Sequence, residues 1–153
     1  MTLAVGSRIP SFTLPDQDGK LFDVEKALGQ GPLVVFFYPK DETPGCTAEA
    51  CSFRDATPEL QKAGARVVGI SRDSVASHKH FADKHGFQYP LLADVDGAVR
   101  ERFGVGKALF GLADGRVTFV IDDKGIVRHR FESLMRATRH VDEAIAIVRS
   151  LAA

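Results

Sequence analysis

The run Leu33-Val34-Val35-Phe36-Phe37-Tyr38 constrains the fold more than any other part of the chain. It consists of β-branched, aromatic and leucine side chains, and its one polar atom is the Tyr38 hydroxyl. A strand with one wet face would alternate apolar and polar residues. An unbroken apolar run needs cover on both faces, which points to a central strand in a sheet layered by helices. The segments around it agree. Arg66-Val67-Val68-Gly69-Ile70 reads as a second core strand, and a helix follows from Asp73 or Ser74 to His85, where Gly86 stops it. Residues 89–93 read as a short strand, placed by Pro90 at a sheet edge or a strand start. Residues 94–103 read as a short helix closed by Gly104, and residues 105–115 as a glycine-bearing loop. Residues 117–121 and 126–131 flank Asp122-Asp123-Lys124-Gly125, a hairpin signal. Thr138 then caps a last helix with Val141, Ile145 and Val148 at helical spacing.

Before the central strand, residues 11–14 and 20–24 flank Pro15-Asp16-Gln17-Asp18-Gly19 and predict an N-terminal β-hairpin, with one helical turn after it. The order is hairpin, then β-α-β-α-β-α, then β-β-α. The expected fold is α/β: a single thioredoxin-like domain over residues 1–153, with a central mixed sheet flanked by helices.

The 153 residues suffice for one buried core, and 44% apolar with 26% charged content fits a globular chain. Twenty acidic and twenty basic residues cancel, so no general field favours nucleic acid or an anionic membrane. No apolar run approaches a membrane span. The start, Met1-Thr2-Leu3-Ala4-Val5-Gly6, lacks a charged n-region and an h-region, so a cytoplasmic protein is expected. Two cysteines are too few for a disulfide framework, and no recognised spacing of four ligands predicts a zinc site. No metal and no other cofactor is expected.

Both cysteines lie in Pro39-Lys40-Asp41-Glu42-Thr43-Pro44-Gly45-Cys46-Thr47-Ala48-Glu49-Ala50-Cys51, directly after the central strand. A helix is expected from Cys46. Thr57-Pro58 reads as a fresh start, so a short piece to about Asp55 would join residues 59–63 by a kink. Only a thiolate is strongly nucleophilic, and the first turn of a helix favours one through its free amides and dipole. The Thr43 hydroxyl, three residues earlier, can donate to the sulfur or to a bound oxygen. Pro39, Pro44 and Gly45 suit a rigid, sharply bent approach.

These residues carry a family resemblance. Phe36 through Cys51 resembles the peroxiredoxin signature P-x-x-x-T-x-x-C, in the peroxiredoxin Q or bacterioferritin comigratory branch, which places a second cysteine five residues after the first. The resemblance continues through Leu14-Pro15-Asp16-Gln17-Asp18-Gly19, Val68-Gly69-Ile70-Ser71, Phe103-Gly104-Val105 and Arg116-Val117-Thr118-Phe119-Val120-Ile121-Asp122, and so covers nearly the whole chain. It implies that Cys46 attacks a hydroperoxide and becomes a sulfenic acid. It implies that Pro39 and Thr43 shape the peroxide pocket, that Arg116 is the cation beside the thiolate, that Glu49 holds Arg116, and that Cys51 resolves the sulfenic acid as an intramolecular disulfide. Thioredoxin or a glutaredoxin-like dithiol protein would return the electrons, and a monomer would suffice. Residues 105–115 are shorter than is usual in this branch, which alters the rim of the site.

Five residues along a helix give about 7.5 Å of rise and roughly 140° of rotation, so the two cysteine Cα atoms stand about 8–9 Å apart. A disulfide needs less than about 7 Å. Closure therefore requires the segment from Cys46 to Cys51 to unwind.

Other residues read as structural. His78, His80 and His85 are expected on a solvated helix face, Lys40, Asp41 and Glu42 as exposed loop charges, and Arg128 and Arg130 on the wet side of a strand. Two other functions compete with this one. A thiol–disulfide oxidoreductase of the thioredoxin type would carry C-x-x-C and a proline before the facing strand; here the spacing is C-x-x-x-x-C, and no proline follows Pro90. A chaperone-like binding module would need an exposed apolar patch, which a sequence does not display.

Overall fold

The computed structural model describes residues 3–108 and 113–152. The chain enters through an antiparallel hairpin, β1 (Thr13–Pro15) with β2 (Leu21–Asp23), followed by one helical turn, α1 (Val24–Ala27). Asp23 caps that turn by accepting from the Glu25 amide. The apolar run then forms β3 (Leu33–Phe37), every residue of it buried. It is the middle strand of a five-stranded mixed sheet. β4 (Arg66–Ser71) and then β5 (Leu91–Ala93) lie parallel to it on one side; on the other, β8 (Val117–Ile121) pairs antiparallel with β3, and β9 (Val127–Glu132) pairs antiparallel with β8. β5 is an edge strand that begins directly after Pro90, as the missing proline N–H requires.

The alternation of β3 divides the interior into two cores. Val34, Phe36 and Tyr38 face one side with Cys46, Ala50 and Phe53 of α2 (Pro44–Lys62) and Val141 and Val148 of α5 (Arg139–Ala152). Leu33, Val35 and Phe37 face the other, with Ile9, Phe12 and Val24 of the N-terminal segment and Val99 of α4 (Ala98–Arg102). Each fully buried side chain of this size contributes about 1.5–3 kcal/mol. Phe36 stacks on Phe53 with ring centroids 4.5 Å apart. Gly69 of β4 makes room for that ring: a Cβ there would stand 2.7 Å from Phe36 Cζ.

Three local expectations are corrected. α2 is one helix of 19 residues with Pro58 inside it, rather than two pieces joined at a kink. Pro58 removes one backbone donor at a cost of about 3 kcal/mol. Packing of Ala50, Phe53, Ala56 and Leu60 against the sheet offsets it. Thr57 opens no new helix; it lies inside α2 and its hydroxyl donates to the Phe53 carbonyl at 2.9 Å. α4 begins at Ala98 rather than Asp94, because the Asp94 carboxylate accepts from the amides of Val99 and Arg100. The expected loop over residues 105–115 contains a pair of two-residue strands, β6 (Lys107–Ala108) and β7 (Ala113–Asp114). Residues 109–112 of that expectation lie outside the described residues. Ser74 caps α3 (Val75–His85) and Gly86 ends it in the left-handed region, as read from the sequence.

Candidate active site

Thr43 stands at the N-cap of α2 and Pro44 at its first position, which puts Cys46 in the first turn. The first helical bond runs from the Thr47 amide to the Thr43 carbonyl at 2.8 Å, so the Gly45 and Cys46 amides precede the ladder. The Cys46 side chain is buried at the sheet end of this turn. Arg116, immediately before β8, arrives from the strand that pairs with β3. Its Nη2 donates to Cys46 Sγ at 3.3 Å, its Nη1 to Glu49 Oε1 at 2.5 Å, and its Nε to the Leu134 carbonyl at 3.1 Å. Three acceptors fix the guanidinium plane. Gly45 leaves space for it: a Cβ there would lie 3.1 Å from Arg116 Nη2. Burial works against the charge of Arg116, but Glu49 and the Cys46 sulfur more than offset it, and the guanidinium is held above its ordinary value.

Glu49, one turn along from Cys46, is fully buried. Burial raises its carboxyl to about 8 against the opposing pull of Arg116. Its Oε1 serves Arg116, while its Oε2 has no hydrogen-bond partner and lies 3.5 Å from His140 Nδ1. His140, in the first turn of α5, is also buried. Its Nε2 donates to the Ser133 carbonyl at 2.8 Å, and the Thr118 hydroxyl lies 2.8 Å from Nδ1. Burial, together with Arg116, lowers its ring to about 4 although the Ser133 bond favours the charged form.

Of the residues singled out from the sequence, Cys46, Glu49, Gly45 and Arg116 are brought together. Thr43 and Pro39 are half-buried in the loop before α2. The Thr43 hydroxyl donates to the Lys40 carbonyl at 2.8 Å, not to the sulfur, so in this state its oxygen is an acceptor for an incoming O–H. Cys51 is a free, half-buried thiol in the same helix as Cys46, one and a half turns on.

Two expectations about this loop are corrected. Asp41 is buried rather than an exposed charge, and His78 is fully buried rather than solvated. Asp41 accepts from the Tyr38 hydroxyl at 2.6 Å and the Ser77 hydroxyl at 2.8 Å, and lies 2.7 Å from His78 Nδ1. His78 Nε2 faces the Leu92 carbonyl at 3.0 Å. Asp73 accepts from the Asp41 amide and, at 2.5 Å, from Ser71. Asp41, Asp73 and His78 have the spacing of a metal-ligand cluster; hydrogen bonds within the protein already engage their ligand atoms. Next to Asp41, Glu42 has φ of 64°, the one positive value at a non-glycine among the described residues. His80 is exposed as expected, whereas His85 is half-buried and stacked on Phe87.

Arg100 is a further residue without a local sign in the sequence. It is buried in α4 and donates from Nη2 to the Tyr38 carbonyl at 2.7 Å and from Nη1 to the Gly115 carbonyl at 2.9 Å. Those two carbonyls directly precede Pro39 and Arg116, so one side chain ties the two halves of the site together.

A thiol in the first turn of a helix, beside a buried arginine on a thioredoxin-like sheet, defines a thiol-redox protein. The sequence pattern of the AhpC/TSA family matches residues 5–130. The chloroplastic peroxiredoxin Q of Populus jackii is 47% identical over 146 residues, which cover 95% of this chain and 68% of that protein. Peroxidoxin BcpB from Mycobacterium tuberculosis has the same fold, with a TM-score of 0.90 and 41% identity over 97% of this chain and 98% of that one. Bacterioferritin comigratory protein of Xanthomonas campestris gives a TM-score of 0.85 and 36% identity over 93% and 92%. The chain belongs to the AhpC/TSA family and, within it, to the peroxiredoxin Q group. That membership supports thiol-peroxidase activity. No helix among the described residues is long and apolar enough to cross a membrane. The plant relatives are named chloroplastic, so they do not carry the cytoplasmic expectation.

Proposed function

We propose that the protein reduces hydrogen peroxide and organic hydroperoxides through Cys46. The observation that carries this reading is the Arg116 contact to Cys46 Sγ at the start of α2. The Cys46 thiolate attacks the terminal oxygen of the hydroperoxide; the S–O bond forms, the O–O bond breaks, and the leaving alkoxide or hydroxide takes up a proton. Arg116 and the first-turn amides are donors aimed at the charge that moves along this line. Thr43, its own proton engaged with Lys40, accepts from the hydroperoxide O–H, and Pro39 walls the loop without an N–H. The relative from Xanthomonas campestris is described with alkyl peroxide reduction activity, which supports extending the substrate class to organic hydroperoxides.

The product at Cys46 is a sulfenic acid, which condenses with a nearby thiol and releases water. Cys51 is that thiol, and the first turns of α2 unwind to bring it in. Thioredoxin or a glutaredoxin-like dithiol protein reduces the disulfide by exchange. The whole cycle needs one domain and no partner subunit, in a compartment that keeps dithiol proteins reduced; the cytoplasm is our reading.

Peroxide consumption coupled to a reduced dithiol protein tests this. Turnover that is lost in Cys46→Ser is the expected result. Dithiol oxidation that proceeds equally without peroxide would instead make the protein a thiol–disulfide oxidoreductase.

A further inference from the structure

Closure of a Cys46–Cys51 bond requires the start of α2 to unwind, because both cysteines share that helix. A hydrogen bond from outside the helix reaches the backbone of this stretch. The Tyr89 hydroxyl donates to the carbonyl of Ala50, the residue directly before Cys51, at 2.8 Å. A carbonyl has two lone pairs, so this bond adds to the one available to the helix itself. Tyr89 and Ala50 are both buried, so water does not compete for the donor.

The backbone of Tyr89 is fixed to the sheet. Tyr89 and Pro90 lead into β5, and the Pro90 carbonyl accepts from the Gly69 amide of β4 at 3.0 Å. On the side away from β4, Gln17 of the N-terminal hairpin turn grips the strand start. Its Nε2 donates to the Tyr89 carbonyl at 3.0 Å, and its Oε1 accepts from the Leu91 amide at 2.8 Å. The Tyr89 ring meets Phe36 of β3 edge-on at 5.8 Å between centroids and stacks on Phe87 at 5.5 Å. The donor is thus anchored in the sheet, and the start of α2 is the part that can leave it.

Arg116 holds the same stretch through two side chains, Cys46 and Glu49. Its bond to the sulfur is charge-assisted while Cys46 is a thiolate and weakens once the sulfur becomes a neutral sulfenic acid. The Tyr89 bond joins two neutral groups and reaches backbone, so oxidation of Cys46 leaves it in place.

We propose that Tyr89 is a positioning residue for the resolving step: its hydroxyl holds the start of α2 wound and so sets how soon the Cys46 sulfenic acid meets Cys51. The inference rests on the Cys46–Cys51 peroxidase reading. Two reactions compete for the sulfenic acid. In one, the Cys51 sulfur attacks the Cys46 sulfur; the S–S bond forms, the S–O bond breaks, and the hydroxyl leaves as water with the thiol proton. In the other, a second hydroperoxide gives its terminal oxygen to Cys46, which becomes a sulfinic acid, and an alcohol or water is released. A firmer hold on Ala50 favours the second.

Tyr89→Phe keeps the ring and removes the bond. The test is rapid-quench intact mass of the reduced protein after one equivalent of hydrogen peroxide. Gain of one oxygen should proceed at the parent rate, and the later loss of water to the disulfide should be on the order of 3–10-fold faster, the usual weight of one neutral hydrogen bond. Cycled with dithiothreitol in excess hydrogen peroxide, the variant should collect sulfinic acid more slowly per turnover by the same factor. Thr57→Val removes a hydroxyl–carbonyl bond of the same kind from α2 beyond Cys51 and should change neither rate. An unchanged second step in Tyr89→Phe, or an equal gain in Thr57→Val, would overturn the proposal. Amide exchange of residues 48–53 in the reduced protein reads the hold without peroxide. It should quicken by the same factor in Tyr89→Phe, and exchange at the parent rate would overturn the proposal independently of the chemistry. Sulfenic acid and disulfide both seen in the parent, with the second step unmoved in Tyr89→Phe, overturn this inference alone. Absence of either product in the parent overturns the reading on which it rests.

Discussion

His78 Nδ1 lies 2.7 Å from the Asp41 carboxylate, and both side chains are shut off from solvent. This contact fastens the loop that carries Pro39 and Thr43 to α3, while the Asp41 amide on Asp73 fastens it to the end of β4. Asp41→Ala would leave Tyr38, Ser77 and His78 buried without their common acceptor. The expected cost is about 3–5 kcal/mol in urea unfolding. His80→Ala, two residues past His78 on the same helix but in water, should stay within about 0.5 kcal/mol. Equal effects of the two substitutions would refute the fastening role.

The same logic of burial sets how stability varies with pH. His140, lowered from 6.5 to about 4, binds fewer protons folded than unfolded between those values, so stability from it rises with pH there. Glu49, raised from 4.5 to about 8, binds more protons folded than unfolded, so stability from it falls as pH rises from 4.5 to 8. The two slopes oppose each other between 4.5 and 6.5. From 6.5 to about 8 only Glu49 acts, and its contribution falls by about 1.4 kcal/mol per pH unit. Urea unfolding across this window checks it: Glu49→Gln should lose that decline, and a decline that persists in the variant would assign it to another group.

Arg116 reaches Cys46, Glu49 and the Leu134 carbonyl with three nitrogens, and a lysine has only one. Arg116→Lys should therefore lower the rate of peroxide reaction on the order of 10²–10³-fold, the usual loss for one well-placed donor. Gly45→Ala is a milder version, because its Cβ would press on Arg116 Nη2 and displace it by a few tenths of an ångström. Stopped-flow oxidation of both variants should rank Gly45→Ala between the parent and Arg116→Lys.

Because Cys46 and Cys51 share one continuous helix, disulfide closure has to melt part of it. Amide exchange from Ala48 to Phe53 should be faster in the oxidised than in the reduced protein. Cys51→Ser should keep the first attack and then accumulate sulfenic and sulfinic acid at Cys46, visible by mass. Turnover with thioredoxin at the parent rate in Cys51→Ser would show another resolver.

Much of this fold was legible because its determinants are local and periodic. The unbroken apolar run gave the central strand, Ser74 and Gly86 gave the ends of α3, and the Thr43 to Cys51 stretch gave the thiol at a helix start. What escaped depends on tertiary partners. Asp41 and His78 look solvated in sequence because a charged loop and an Xaa-His-Xaa-His helix usually are; only the meeting of loop, α3 and β5 buries them. Arg100 and His140 sit among ordinary helical residues, and nothing near them in sequence says that the Tyr38 carbonyl after β3 or a carboxylate of α2 will arrive. Pro58 reads as a break because its penalty is local and visible in sequence, whereas the packing of Ala50, Phe53, Ala56 and Leu60 that opposes it is not.

The central claim is that Cys46 is a fast peroxide-reacting thiol resolved by Cys51. Its most direct test is the intact mass of the reduced protein, quenched within seconds of adding one equivalent of hydrogen peroxide. The account requires loss of two hydrogens, mapped by digestion to a Cys46–Cys51 bond. An unchanged mass, with both thiols still open to alkylation, would contradict it.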